Sequence, residues 1–174
     1  MKIRLIFVTT LDGKVTKWGD PHVFHWSSKE DQRYFMHEWN SAKVIIMGSS
    51  TFAFDPVKPS PERLLIVMTS TPEKYKQYLV PGQVEFTKES PVEIADRLKA
   101  AGHPEILLVG GAHIASAYLA EGLVDEFWLT FEPRIFGTGG NFVSEKPLDV
   151  KLKLTSIEKV NEQGTLIAKY AIEK

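Results

Sequence analysis

Three times along this chain a short apolar run ends in glycine or hydroxyl residues and gives way to a helical pattern: Ile106 to Leu119 (ILLVGGAHIASAYL), Val44 to Phe52 (VIIMGSSTF) and Leu64 to Lys74. Strands of that kind, apolar without alternation, are buried on both faces, as parallel strands are. Further apolar runs at Ile3 to Val8 and Val124 to Phe131, with helical patterns over Ser28 to Asn40, Pro91 to Ala101 and Ala112 to Glu121, extend the βα alternation. The class is therefore α/β. Lys151 to Val160 and Thr165 to Ile172 alternate like strands and are joined through Asn161, Glu162, Gln163 and Gly164. They predict an antiparallel hairpin appended to a mixed, mostly parallel sheet flanked by helices.

No linker or internal repeat divides the 174 residues, which suit one domain with one core, spanning 1–174. The 21 basic and 22 acidic side chains leave a net charge of -1 and form no long block of either sign, so no nucleic acid or anionic membrane is an expected partner. The apolar run after Met1 is too short to span a membrane and has no small-residue cleavage site. Cysteine is absent, which excludes disulfides, cysteine-ligated metals and thiol catalysis. A cytoplasmic protein is the expectation.

The strand ends carry the chemistry. At Gly110-Gly111 a bare backbone allows close approach of a pyrophosphate, and the helix that follows offers free N–H groups and the positive end of its dipole. The same pair also suits a plain tight turn. Gly48 with Ser49, Ser50 and Thr51 repeats the design, although those hydroxyls equally suit helix capping. Thr69, Ser70 and Thr71 end the third strand, with Pro72 placed for a first helical turn and Lys74 as a nearby cation. Ligands of open α/β sheets sit beyond the carboxyl ends of the strands, so the three ends line one nucleotide crevice. Hydrolase chemistry has no nucleophile elbow, the five histidines form no metal-ligand motif, and no metal is expected. The glycine-rich Phe136 to Asn141 lacks the lysine of a P-loop and reads as a mobile loop.

In order along the chain, Thr10-Leu11-Asp12-Gly13-Lys14, Trp26-Ser27-Ser28 with Glu30, Asp31 and Phe35, Met47 to Phe52, Gly110-Gly111-Ala112, Gly122 to Glu126, Pro133 and Gly137-Thr138-Gly139 resemble the reductase domain of the riboflavin-biosynthesis deaminase/reductase family. The resemblance covers nearly the whole chain and implies a dihydrofolate reductase-like fold. It implies an NADPH site in which Gly48, Ser50 and Thr51 face the adenine-side phosphates. Ser70 and Thr71 lie near the adenosine ribose phosphate, and Gly110, Gly111 and Ala112 cradle the pyrophosphate. By the same resemblance Thr9 and Trp26 border the nicotinamide and Asp55 stands near the cofactor. Asp31, four residues before Phe35, is similar to the acid that grips a pterin in dihydrofolate reductases, and is the candidate catalytic proton carrier; as a plain helix-start acid it would favour the macrodipole.

The implied function is NADPH-dependent reduction of a small, planar heterocycle, of the kind handled by the pyrimidine reductase of riboflavin biosynthesis, whose substrate is a 5-amino-6-ribosylamino-uracil phosphate, or by dihydrofolate reductase. A homodimer is implied as well. Trp39 stands near the family's substrate-phosphate arginine, Lys43 replaces an aspartate, Val109 replaces a glutamate, and Ser49 stands where dihydrofolate reductases carry arginine. Those departures motivate an alternative, a nucleotide-binding module that keeps the fold without turnover. Phe24, Trp26, Phe35 and Trp39 are expected either to wall a substrate cleft or to pack the core.

Overall fold

The computed structural model describes residues 1–174. Its centre is a sheet of eight strands in the order β4-β3-β2-β5-β1-β6-β8-β7. The strands are β1 (Lys2–Thr10), β2 (Val44–Gly48), β3 (Leu64–Met68), β4 (Val84–Thr87), β5 (Glu105–Leu108), β6 (Glu126–Glu132), β7 (Leu152–Lys159) and β8 (Leu166–Ile172). The first six run parallel; β8 lies antiparallel to β6, and β7 antiparallel to β8. The expected mixed sheet with its hairpin is present, and β2 is buried at every residue, as its unbroken apolar run requires.

Helices cover both faces. α1 (Lys29–Ser41) and the short α2 (Ser49–Phe54) pack where Ile6, Ile45, Leu65 and Trp128 form one core with Phe52. α3 (Pro91–Ala100) and α4 (Ala112–Ala120) cover the other face, where Ile94, Leu98 and Tyr118 meet Ile3, Leu5, Ile66 and Leu108. Local chemistry sets their ends. The Ser28 hydroxyl accepts from the Asp31 N–H to start α1, a Ser90–Glu93 capping box starts α3, and Gly102 and Gly122, at φ of 80° and 63°, follow α3 and α4.

Two elements differ from expectation. Val84–Thr87 forms β4, a four-residue strand whose short alternation V-E-F-T carries too weak a signal to stand out. The run expected from Val124 pairs only from Glu126, because Val124 is drawn into the core before the ladder begins.

Candidate active site

The strand order opens a crevice. β2 leads through α2 to β3, whereas its neighbour β5 leads through α4 across β1 to β6, so adjacent strands send their chains in opposite directions. At that divergence the Gly48 N–H donates to the Gly110 carbonyl at 2.8 Å. A cleft of about 550 Å³ lies beyond the strand ends, lined by Gly48 to Thr51, Met68 to Ser70, Thr87 to Glu89 and Gly111 to Ile114. No side chain caps α2 or α4, leaving the first-turn N–H groups of α4 free for an anion.

The glycines at the cleft have distinct jobs. A Cβ on Gly48 would stand 3.0 Å from Ile114 Cγ1, and one on Gly111 would stand 3.4 Å from Thr51 Oγ1, in the space between the two turns. Gly110 lies at φ 87°, and a Cβ there would meet the Phe7 ring at 2.5 Å. Packing against Phe7 already requires glycine there.

Of the residues singled out in the sequence, Gly48, Ser50, Thr51, Ser70, Gly111 and Ala112 line this cleft together. Gly110 supports it from behind. Thr71 sits just outside, at the entry to the turn Pro72–Tyr78, and Lys74 on that turn does not reach the lining. Lys88, after the unanticipated β4, is the cation that does. Asp55 is exposed at the end of α2 and away from the cleft, because the helix carries it outward. Thr9 is buried, and its hydroxyl is within donating distance of the carbonyls of Thr10 and Lys14, at 3.1 and 3.2 Å.

Across β1 from this cleft stands a second group of polar residues. Asp31, in the first turn of α1, is only 4% exposed and faces the hydroxyls of Thr130 and Ser27. Burial pushes its carboxyl up to about 6, the nearby Glu132 carboxylate adds to the rise, and the two hydroxyls oppose it. Beside it the Trp26 indole N–H is buried without a hydrogen-bond partner. A buried donor left open in this way is uncommon outside sites that receive a ligand. The sequence reading missed Thr130, yet Trp128, Thr130 and Glu132 fall on alternate positions of β6, and two polar residues on the inner face of a buried strand were the available signal.

Two loops flank this group. The Asp12 carboxylate accepts from the backbone N–H groups of Phe136 and Gly137 at 3.2 and 2.7 Å, and the Thr16 hydroxyl accepts from Gly140 at 2.7 Å. The hydroxyl of Thr10 is the largest cause holding the Asp12 carboxyl below its ordinary value, with those backbone donors adding to it. The glycine-rich segment expected as a free loop is thus stitched to the turn after β1. Lys14 donates to Asn141 Oδ1 at 2.9 Å. Phe136 presents its ring edge-on to Trp26 at 5.1 Å. Phe35 and Trp39 pack into the core under α1, while Phe24 is exposed and touches Phe35 edge-on.

Glu132 ties the site to the C-terminal hairpin. Its buried carboxylate accepts from the Ser28 N–H at 2.7 Å and the Thr165 hydroxyl at 2.8 Å, joining β6, the start of α1 and β8. Glu132→Ala leaves both donors unpaired and is expected to lower stability by about 3 kcal/mol, read as a reduced urea midpoint at unchanged slope.

No group of three or more histidine, aspartate or glutamate side chains is placed to hold a metal ion, and no helix is long and apolar enough to cross a membrane. Comparison with known proteins agrees with the architecture. A pyrimidine reductase-like protein from Corynebacterium diphtheriae superposes with a TM-score of 0.76 at 19% identity, over 99% of this chain and 92% of that one. The diaminohydroxyphosphoribosylaminopyrimidine deaminase/5-amino-6-(5-phosphoribosylamino)uracil reductase of Thermotoga maritima gives 0.73 at 18% identity, over 98% of this chain and 56% of its own length. The uncharacterised protein YwjB of Bacillus subtilis (strain 168) is 26% identical over 160 residues, 88% of each chain. The model of the RibD C-terminal domain matches residues 1–166, and with the sheet order and crevice described above this chain belongs to the RibD C-terminal domain family.

Proposed function

We propose that the chain works as one NADPH-dependent reductase domain acting on a small, planar heterocycle. The observation that carries this reading is the pairing of two features at one end of the sheet: a glycine-lined phosphate cleft, and a buried carboxyl that holds a proton up to about pH 6. The similar Thermotoga maritima protein, named a 5-amino-6-(5-phosphoribosylamino)uracil reductase, supports the substrate class.

The residues present fit the cofactor. Gly48 and Gly111 leave room where side chains would stand, and the uncapped start of α4 with the Thr51 hydroxyl supplies donors for a pyrophosphate. Ser70 and Lys88 provide a hydroxyl and a cation for the ribose phosphate that distinguishes NADPH from NADH. When bound, NADPH supplies a hydride. The protein then has to orient an acceptor carbon and provide one proton to the atom bonded to it. Asp31 provides that proton, because burial keeps a useful fraction of it protonated near neutral pH. The unpaired Trp26 N–H holds the edge of the heterocycle beside it.

Calorimetric titration with NADPH and NADH tests the reading, followed by absorbance assays with pyrimidines and pterins. Binding of NADPH at about 10 μM or tighter, weaker NADH binding, and oxidation by at least one compound are expected. Absence of binding to either nucleotide overturns the proposal. Binding without oxidation by any compound leaves the non-catalytic module that Trp39 and Val109 motivated.

A further inference from the structure

His113 lines the cleft and has no task in the reading above. It stands in the first turn of α4, two residues after Gly111, and is exposed. Its ring is nevertheless held. The Ser144 hydroxyl lies 2.9 Å from Nδ1, while Nε2 has no partner in the protein. Ser144 is itself fixed from two sides. Its N–H donates at 2.7 Å to the hydroxyl of Ser116, which lies one turn further along α4 and is buried. Two residues before it, Phe142 packs against the main core, with its ring 6.2 Å from Phe7 and 5.5 Å from Phe127. The segment that follows the glycine-rich loop is thus laid along α4, and it brings a hydroxyl to the histidine of the cleft.

That contact decides what the ring offers. An imidazole holding one proton is a donor at one nitrogen and an acceptor at the other, and the bond made by one fixes the role of the other. The Ser144 hydroxyl has a single proton, and this ring is its hydrogen-bond partner. Its proton therefore goes to Nδ1, and the ring proton is left on Nε2. A free N–H donor then belongs to a side chain of the cleft, where it suits an anion.

We propose that Ser144 and His113 form a clasp on the nucleotide: Ser144 positions the ring and fixes its tautomer, and His113 donates from Nε2 to a pyrophosphate oxygen. The inference rests on the NADPH reading above. It adds to that reading a side-chain donor and, in Ser144, a positioning residue that does not line the cleft. The role differs from that of Lys88 and Ser70, which serve the ribose phosphate. Pyrophosphate is common to NADPH and NADH, so His113 holds both nucleotides, whereas Lys88 tells them apart.

Nitrogen NMR of the imidazole and calorimetric titration with both nucleotides test it. In the unaltered protein without nucleotide, the His113 ring is expected to carry its proton on Nε2. His113→Ala should weaken NADPH and NADH by the same factor, about tenfold, whereas Lys88→Ala weakens NADPH alone. Ser144→Ala should weaken both nucleotides by about threefold and let the ring proton move to Nδ1. Ser144→Thr keeps the hydroxyl and should restore both readouts. Neither side chain is buried, so melting temperatures are expected to stay near that of the parent. A ring proton on Nδ1 in the unaltered protein overturns the proposal. So does His113→Ala with normal affinity or with a loss confined to NADPH, and so does Ser144→Ala with unchanged affinity. If the unaltered chain binds neither nucleotide, the cofactor reading fails and takes this proposal with it; normal binding by His113→Ala removes this proposal alone.

Discussion

Asp31→Asn is expected to bind NADPH as the unaltered protein does and to lose turnover by about 10²–10⁴-fold, the usual contribution of a positioned acid. The substitution keeps size and shape, so the loss reports the proton. In the unaltered enzyme kcat/KM should fall as pH rises through about 6, where Asp31 gives up the proton it is to donate. Stability supplies a second readout. The folded carboxyl holds its proton to about 6 whereas the ordinary value is 3.8, so stability falls as pH rises between those values. Above that window the folded protein carries a buried carboxylate at a cost of about 3 kcal/mol. Asparagine carries no such cost. The variant should therefore be the more stable protein at about pH 8, with the difference closing towards about pH 4. A variant with full activity would remove Asp31 from the chemistry, and one no more stable at high pH would contradict its buried state.

The second large effect concerns the cleft. Gly111→Val should raise the NADPH dissociation constant by about a hundredfold while leaving the melting temperature near that of the parent, measured by calorimetric titration and thermal unfolding. Gly111 has φ of -72°, which any residue adopts, and its Cβ direction leads to Thr51 Oγ1 at ordinary contact distance. A Cβ is thus tolerated by the fold and stands where a pyrophosphate would approach. Gly110→Ala separates the two roles, because its Cβ would collide with the Phe7 ring from a left-handed backbone. That variant should lose stability outright. If Gly111→Val binds NADPH normally and is folded, the cleft is not the cofactor site.

The sheet was readable from the chain because its signals are local. β2, β3 and β5 are unbroken apolar runs closed by glycine or hydroxyl residues, and Ser28, Ser90, Gly102 and Gly122 mark helix ends by hydrogen bonding and backbone freedom that act within a few residues. β4 escaped notice because four alternating residues carry little periodicity. Its omission also hid Lys88, which stands at its end.

Within the candidate site the same division holds. Gly48, Thr51, Ser70 and Gly111 are marked by their positions at strand ends, and the sequence alone determines that such ends exist. Their assembly into one cleft depends on β5 inserting between β1 and β2, pairings of segments about 100 and about 60 residues apart that no local pattern specifies. Asp31 is visible in the sequence as an acid at the start of a helix. Its burial against Thr130, roughly 100 residues later, is decided only when α1 packs over β6, and that packing raises its proton affinity. Thr9 and Asp55 lie outside the cleft lining, Thr9 with its hydroxyl turned to nearby carbonyls and Asp55 exposed at the end of a short helix. Residue type and local spacing determined the α/β class, the strand ends and the helix caps, because those forces act over a turn or a strand. Tertiary packing alone decided which groups share a cleft and which lose their water, because both depend on neighbours far away in the chain.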